Sequence, residues 1–184
     1  MKKIILASSS PRRKELLQTA GLEFEIDVKE VDESIAEGTP PAEAAKITAC
    51  KKAAAVAEYH ENDIVIGADT IVVAGEKILG KPKDEADAAA MLRMLSGVEH
   101  QVITGVCLFC GGKSQSFAQI SKVKFYDLTD EEIASYVATR EPMDKAGAYG
   151  IQGRGCTLVE RIEGDYFNIV GLPVAEVCRK IKEL

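Results

Sequence analysis

Three small hydroxyl residues, Ser8, Ser9 and Ser10, stand immediately before Pro11 and the paired guanidiniums of Arg12 and Arg13. This run can bind an anion. The apolar stretch Ile4-Ile5-Leu6 reads as a buried strand that stops at the serines, and the proline pre-sets φ for a first helical turn. Backbone N–H groups, hydroxyls and fixed positive charge then converge on one point. The same residues also make an ordinary Ser10 N-cap with two solvated arginines, and the local pattern leaves both readings open.

Further chemistry-bearing residues follow along the chain. Asp69 and Thr70 interrupt the strand-like run from Asp63 to Val73, where Gly67 is a second break. A carboxylate flanked by apolar residues is expensive to bury unless something pairs with it, so Asp69 is a candidate metal ligand or general base, with a turn aspartate as the plain alternative. Val31-Asp32-Glu33 puts an acidic pair just past an apolar run, Lys51 and Lys52 ride on an alanine-rich helix, and Gly80-Lys81-Pro82 sets a lysine beside rigid backbone. On composition alone the paired lysines are solvated. The stretch from Asp144 to Gly153 is glycine-rich but matches neither a Walker A loop nor a dinucleotide fingerprint. Within it, Gln152 carries an amide that both donates and accepts, which suits the edge of a base.

The elements that must position these groups can be read from periodicity and punctuation. A strand over about residues 3 to 7 leads into a helix over about 11 to 20, stopped by Gly21. A strand over Phe24 to Val28 comes next, then a helix from Pro40-Pro41 through about Tyr59. Gly75 and Gly80 punctuate a short hairpin. Asp84 caps a helix to about Leu95, ended by Gly97. Val102 to Cys110, the Gly111-Gly112 turn and Ser116 to Tyr126 form a β-hairpin. Thr129 and Glu132 have capping-box spacing for a helix to about Ala138, Thr157 to Ile162 is a strand, and Val174 to Leu184 is a closing helix.

Composition narrows the function classes. A chain of 184 residues with 46% hydrophobic and 28% charged residues is an ordinary globular chain, one domain or one compact domain with two lobes. No apolar run approaches the roughly twenty residues of a membrane span, and Met1-Lys2-Lys3 enters a strand, so a cytoplasmic protein without membrane association is expected. The net charge of −6 argues against broad nucleic-acid binding. Five scattered cysteines suit reduced thiols, and Cys107 with Cys110 lies in a strand, where residues three apart face opposite sides and make a poor zinc or redox pair. His100, alone at the start of a strand, reads as a hydrogen-bonded structural residue.

Taken together, Ser8-Ser9-Ser10-Pro11-Arg12-Arg13, Ala68-Asp69-Thr70, Gly80-Lys81-Pro82, Ser96-Gly97 with His100, and Asp144 to Gly153 resemble the Maf family of nucleoside triphosphate pyrophosphatases. The resemblance covers essentially the whole chain, in order. It implies an elongated, two-lobed α/β domain over residues 1–184, with a mixed, strongly twisted sheet flanked by helices, a central cleft, and a distant similarity to inosine triphosphate pyrophosphatase. It further implies hydrolysis between the α and β phosphates with a divalent cation, Mg²⁺ or Mn²⁺. Arg13, Lys52 and Lys81 match the family's phosphate-binding basic positions, Asp69 its catalytic acid, and Glu33 a further functional acid. Glu33 and Asp69 are then the metal-side carboxylates, and Ser8 a phosphate ligand.

Within the family, the wording around Arg12, Thr70 and Gln152 resembles the pyrimidine-selective members, so dTTP and UTP are the substrates the resemblance implies. Gln152 and Arg12 could satisfy the O2, N3 and O4 pattern that thymine and uracil share. Two other readings stand beside this one: a nucleotide-binding regulator of cell division and septum formation, and a house-cleaning pyrophosphatase for purines such as ITP. A homodimer is compatible with all three.

Overall fold

The computed structural model describes residues 2–184. Among them, seven strands form one mixed sheet flanked by helices. β1 (Ile4–Leu6), α1 (Pro11–Thr19), β2 (Glu25–Ile26), α2 (Pro41–Ala57), β3 (Ile64–Ala74) and β4 (Lys77–Leu79) come first. α3 (Glu85–Leu95), β5 (Glu99–Cys110), β6 (Lys113–Phe125), α4 (Asp130–Ala138), β7 (Val159–Glu163), α5 (Tyr166–Val170) and α6 (Val174–Ile181) follow. The strand order is β2-β1-β3-β5-β6-β7, with β4 added to β3. β1 runs parallel to β2 and β3, whereas β3–β4 and β6–β7 are antiparallel.

The chain divides into two compact units. The first holds the residues up to Thr70, Thr104–Gln119 and Gly171–Leu184; the second holds Ile71–Ile103 and Ile120–Val170. In the first, the parallel pairing of Ile5 with Val65 and Leu6 with Ile66 is continued by Ala7 N–H donating to the Ile66 carbonyl at 2.8 Å. That register brings Ser8 level with Ala68, one residue before Asp69. Ligands of open parallel sheets sit at such strand ends, because the loops that follow are free to diverge there.

α2 lies unusually close to this sheet. A Cβ built on Gly67 would come within 2.3 Å of the Ala49 carbonyl oxygen, and one on Gly105 within 2.3 Å of the Ala45 carbonyl carbon. Glycine on the strands and alanine on the helix (Ala45, Ala49 and Ala53, all fully buried) let the two backbones touch. β3 is continuous through Gly67 and Asp69. The break expected at Gly67 is therefore absent, since that glycine serves the helix above it and not a turn. Asp69 likewise stands in a strand and is no turn residue.

Local signals behaved as their physics predicts. Ser10 caps α1 by accepting from the Arg13 N–H, Asp84 caps α3 by accepting from Asp87 N–H, and Thr129 with Glu132 forms a complete capping box on α4. Gly111 and Gly112 turn the β5–β6 hairpin with φ of 56° and 73°. The strand expected over Phe24 to Val28 is reduced to Glu25–Ile26, an exposed edge, and the strand expected over 157–162 begins only at Val159, after a 3₁₀ turn over Gly153–Leu158. α5 was not foreseen; five residues are too few for a helical period to be visible.

In the second unit, His100 is 2% exposed. Its Nε2 lies 2.8 Å from the Tyr149 hydroxyl, and its ring packs edge-on to Phe125 and Tyr149. Burial pushes its pKa down to about 4, so it is a neutral core residue, as the sequence suggested. Cys107 and Cys110 are buried in β5 as free thiols. No helix among the described residues is long and apolar enough to cross a membrane.

Candidate active site

Six of the nine residues singled out from the sequence come together in the first unit: Ser8, Arg13, Glu33, Lys52, Asp69 and Thr70. Gly67 and Asp69 lie two apart on β3 and so face the same way, toward α2. The helix seated on Gly67 therefore presents Lys52, one turn beyond Ala49, to Asp69. The Lys52 Nζ lies 2.8 Å from Asp69 Oδ1 and 3.2 Å from Glu33 Oε1. Lys52 and Asp69 side chains are 19% and 18% exposed, Glu33 57%. The partly buried Lys52–Asp69 pair is screened less than a surface pair, whereas Glu33 meets the ammonium from the solvent side. Lys52 thus departs from the solvated lysine pair expected on a helix, while the Lys51 ammonium donates in exposed hydrogen bonds to the backbone carbonyls of Asp32 and Ser34, in the segment that carries Glu33.

Arg13 is the second focus. Its Nε donates to the Gly171 carbonyl at 2.8 Å, Nη1 to Ser8 Oγ at 3.1 Å and Nη2 to Thr70 Oγ1 at 3.0 Å. Three of the guanidinium's five N–H groups are thus committed to the protein, which fixes its plane and aims the other two. Burial lowers its pKa to about 10, opposed by the nearby charge of Asp69 and assisted by Arg12, so it stays cationic at neutral pH. Ser8 Oγ also accepts from the Ser10 N–H at 3.3 Å. With its lone pairs occupied, the part of Ser8 left for a ligand is its single hydroxyl proton. Ser10 is the N-cap of α1 that the plain reading of the Ser8-to-Arg13 stretch expects, but Arg13 is not a solvated arginine: Ser8, Thr70 and Gly171 hold it in a cradle.

Two residues of this cradle carry no sequence signal. Thr104 is fully buried on β5, and its hydroxyl lies 2.9 Å from that of Thr70. Gly171, at φ 133°, turns its carbonyl onto Arg13. Nothing local marks either one, since a threonine in a strand is commonplace and the glycine lies 158 residues from its partner.

Lys81 and Gln152 belong to the second unit. The Gly147 N–H donates to the Gly80 carbonyl at 3.0 Å, which ties the Lys81 segment to the glycine-rich loop. Gly147 takes φ 67°, with Val72 packed where its Cβ would be. Lys81 is exposed and Gln152 partly buried. Arg12 is partly buried on the first turn of α1, beside Arg13.

Among the described residues no group of three or more His, Cys, Asp or Glu side chains could hold a metal alone. Glu33 and Asp69, converging on one cationic point, nonetheless fit a hard divalent ion of the kind bound by one or two carboxylates and completed by substrate phosphates.

A mixed sheet with helices on it, a rigid guanidinium cradle at the end of a parallel strand pair, and an adjacent lysine–carboxylate cluster define an α/β protein equipped to bind a polyanion. A family model described as Maf-like protein matches residues 3–184, and the chain belongs to that family. It is 56% identical over 184 residues to a protein of Geobacillus sp. named dTTP/UTP pyrophosphatase, covering 100% of this chain and 99% of the relative. It is 54% identical over 183 residues to a Bacillus cytotoxicus protein of the same name, covering 100% and 96%. The fold is shared with a HAM1 protein from Coxiella burnetii, with a TM-score of 0.52 at 12% identity and complete coverage of both chains.

Proposed function

We propose that this protein hydrolyses dTTP and UTP between the α and β phosphates, yielding the nucleoside monophosphate and pyrophosphate. The observation that carries the reading is the Lys52 ammonium suspended between Asp69 and Glu33 beside the Arg13 cradle. The full-length identity to relatives named for this activity supports it.

The chemistry follows from what each group has left to offer. The two uncommitted N–H groups of Arg13, the Ser8 hydroxyl proton and the Lys52 ammonium neutralise the triphosphate, whose charge otherwise repels an approaching oxygen nucleophile. Lys81 is a further cation proposed for the phosphates. Without substrate Asp69 Oδ1 is engaged by Lys52; once the ammonium turns to the triphosphate, the Asp69 carboxylate accepts the proton of the attacking water. Glu33 and Asp69 are the residues that would hold Mg²⁺ or Mn²⁺, which supplies Lewis-acid stabilisation of charge on the phosphates. For the choice of base, Arg12, with its guanidinium donors, and Gln152, with an amide that both donates and accepts, are the proposed readers of O2, N3 and O4 of the pyrimidine; Thr70, the third proposed specificity residue, acts through its bond to Arg13.

A panel of nucleoside triphosphates assayed with Mg²⁺ or Mn²⁺, with products separated, tests the proposal. UTP and dTTP should lead the ranking, and pyrophosphate should be the first product. Orthophosphate appearing first would rule out cleavage between the α and β phosphates, and turnover of ITP above UTP would move the protein to purine house-cleaning.

A further inference from the structure

The 150–155 loop that carries Gln152 is fastened by a single carboxylate, that of Glu141. Glu141 Oε1 accepts from the Tyr136 hydroxyl at 2.9 Å and from the Gly155 N–H at 3.1 Å, while Oε2 accepts from the Arg154 N–H at 3.0 Å. The Tyr136 oxygen in turn accepts from the Gly150 N–H at 3.2 Å. Gln152 is therefore bracketed: the backbone is held two residues before it and two and three residues after it, all by one carboxylate and one phenol.

The backbone of the loop is shaped to this fastening. Gly153 has φ 67°, and a Cβ there would lie 2.7 Å from Glu141 Oε2. A Cβ on Gly155 would lie 2.2 Å from the Gly150 carbonyl oxygen and 2.7 Å from the Tyr136 oxygen. The loop closes on itself with no room for side chains on its inner face. The Glu141 backbone is anchored as well, its carbonyl accepting from Lys145 Nζ at 2.6 Å. A partly buried carboxylate whose oxygens accept from two backbone amides and a phenol makes sense if its task is to hold amide groups in place.

We propose that Glu141, through Tyr136 and the amides of Arg154 and Gly155, is a positioning residue for base selection: it sets the direction in which the Gln152 amide is presented. This rests on Gln152 reading the base. Burial by itself would raise the carboxyl pKa of Glu141, but the Arg154 and Gly155 amides, the Tyr136 hydroxyl and the charge of Lys145 outweigh it and hold the pKa below its ordinary value. Burial keeps the Tyr136 phenol protonated, as a donor to Glu141 must be.

The test uses the full-length protein and three variants, Glu141→Gln, Tyr136→Phe and Gln152→Leu, with kcat and KM measured for UTP, dTTP and GTP. Glu141→Gln keeps the shape but turns one acceptor oxygen into an NH₂ that faces a donor, and Tyr136→Phe removes the phenol bridge independently. Both should lower the UTP-to-GTP ratio of kcat/KM by about tenfold, mainly through KM. Hydrogen exchange at the Arg154 and Gly155 amides should quicken in both. Combining Glu141→Gln with Gln152→Leu should lower the ratio no further than Gln152→Leu alone, because the two act through one amide. A purely structural role for Glu141 predicts instead independent, additive losses for all three nucleotides. An unchanged ratio in both fastening variants, with Gln152→Leu shifting it, would overturn this proposal alone. An unchanged ratio in Gln152→Leu would overturn the base-reading role of Gln152 together with it.

Discussion

Asp69 and Glu141 are both partly buried carboxylates with short contacts, yet their partners differ in kind. Asp69 is held by the Lys52 ammonium, which it shares with Glu33. Glu141 is held by a phenol and two backbone amides. An ammonium on a flexible four-carbon stem can turn to an arriving phosphate and release the carboxylate for other work. Backbone amides cannot leave without unfolding the loop they belong to. Under the proposed function the first arrangement is a working pair, exchangeable by a charged ligand, and the second is a fastening made of neutral donors.

The comparison can be broken at its working end most severely. Asp69→Asn keeps the shape of the side chain and removes the proton acceptor, so pyrophosphate release should fall about a thousandfold while UTP still binds. Equilibrium binding beside steady-state turnover separates the two, and equal losses in both would make Asp69 a binding group only. The same variant distinguishes catalysis from regulation by binding: a cell-division phenotype that survives Asp69→Asn would not depend on turnover.

At the fastened end, acid is the lever. The second unit packs His100 against Phe125 and Tyr149, and Tyr149 leads directly into the fastened loop. The folded protein holds the ring neutral down to about pH 4, whereas an unfolded chain protonates it near 6.5. The unfolded state thus binds the extra proton between those values, so stability conferred by the neutral ring is complete above about pH 6.5 and is lost as pH falls toward 4. The difference amounts to about 3 kcal/mol. Urea unfolding across this range, compared with His100→Asn, should show the variant losing less stability on acidification. Parallel curves would remove His100 from the account.

A smaller effect separates neighbours. Arg13→Ala should lower kcat/KM for every nucleotide by roughly a hundredfold, since it removes charge-assisted bonds that any triphosphate would use. Arg12→Ala should chiefly reorder the bases. If both variants lose all substrates equally, the Ser8-to-Arg13 stretch is a phosphate clamp and nothing more. Smallest is the support behind the cradle. Thr104→Val removes the hydroxyl that meets Thr70, and a loss of up to about tenfold in kcat/KM is expected for all nucleotides, restored by Thr104→Ser. Restoration by serine identifies the hydroxyl as the cause, and failure of serine to restore activity would assign the loss to packing.

Much of the fold was legible because its signals are local. The caps at Ser10, Asp84 and Thr129, the Gly-Gly hairpin turn and the alanine-rich helix each depend on a few consecutive residues. Gly67 was misread for the opposite reason: within the chain it looks like a strand breaker, and only the helix packed above it explains the missing side chain. The same holds for Lys52, which composition would leave in solvent and which tertiary packing brings to Asp69.

The sequence by itself determined which chemistry-bearing residue types are available, since the order of Ser8, Arg12, Arg13, Glu33, Lys52, Asp69, Thr70, Lys81 and Gln152 is carried by the chain whatever its conformation. Tertiary structure alone decided how they are held. Thr104 and Gly171 reach Arg13 and Thr70 from distant parts of the chain, and Glu141 grips a loop more than ten residues away. A hydrogen bond is a condition on distance and angle between two groups, and no spacing along a sequence states that condition until the chain between them has folded.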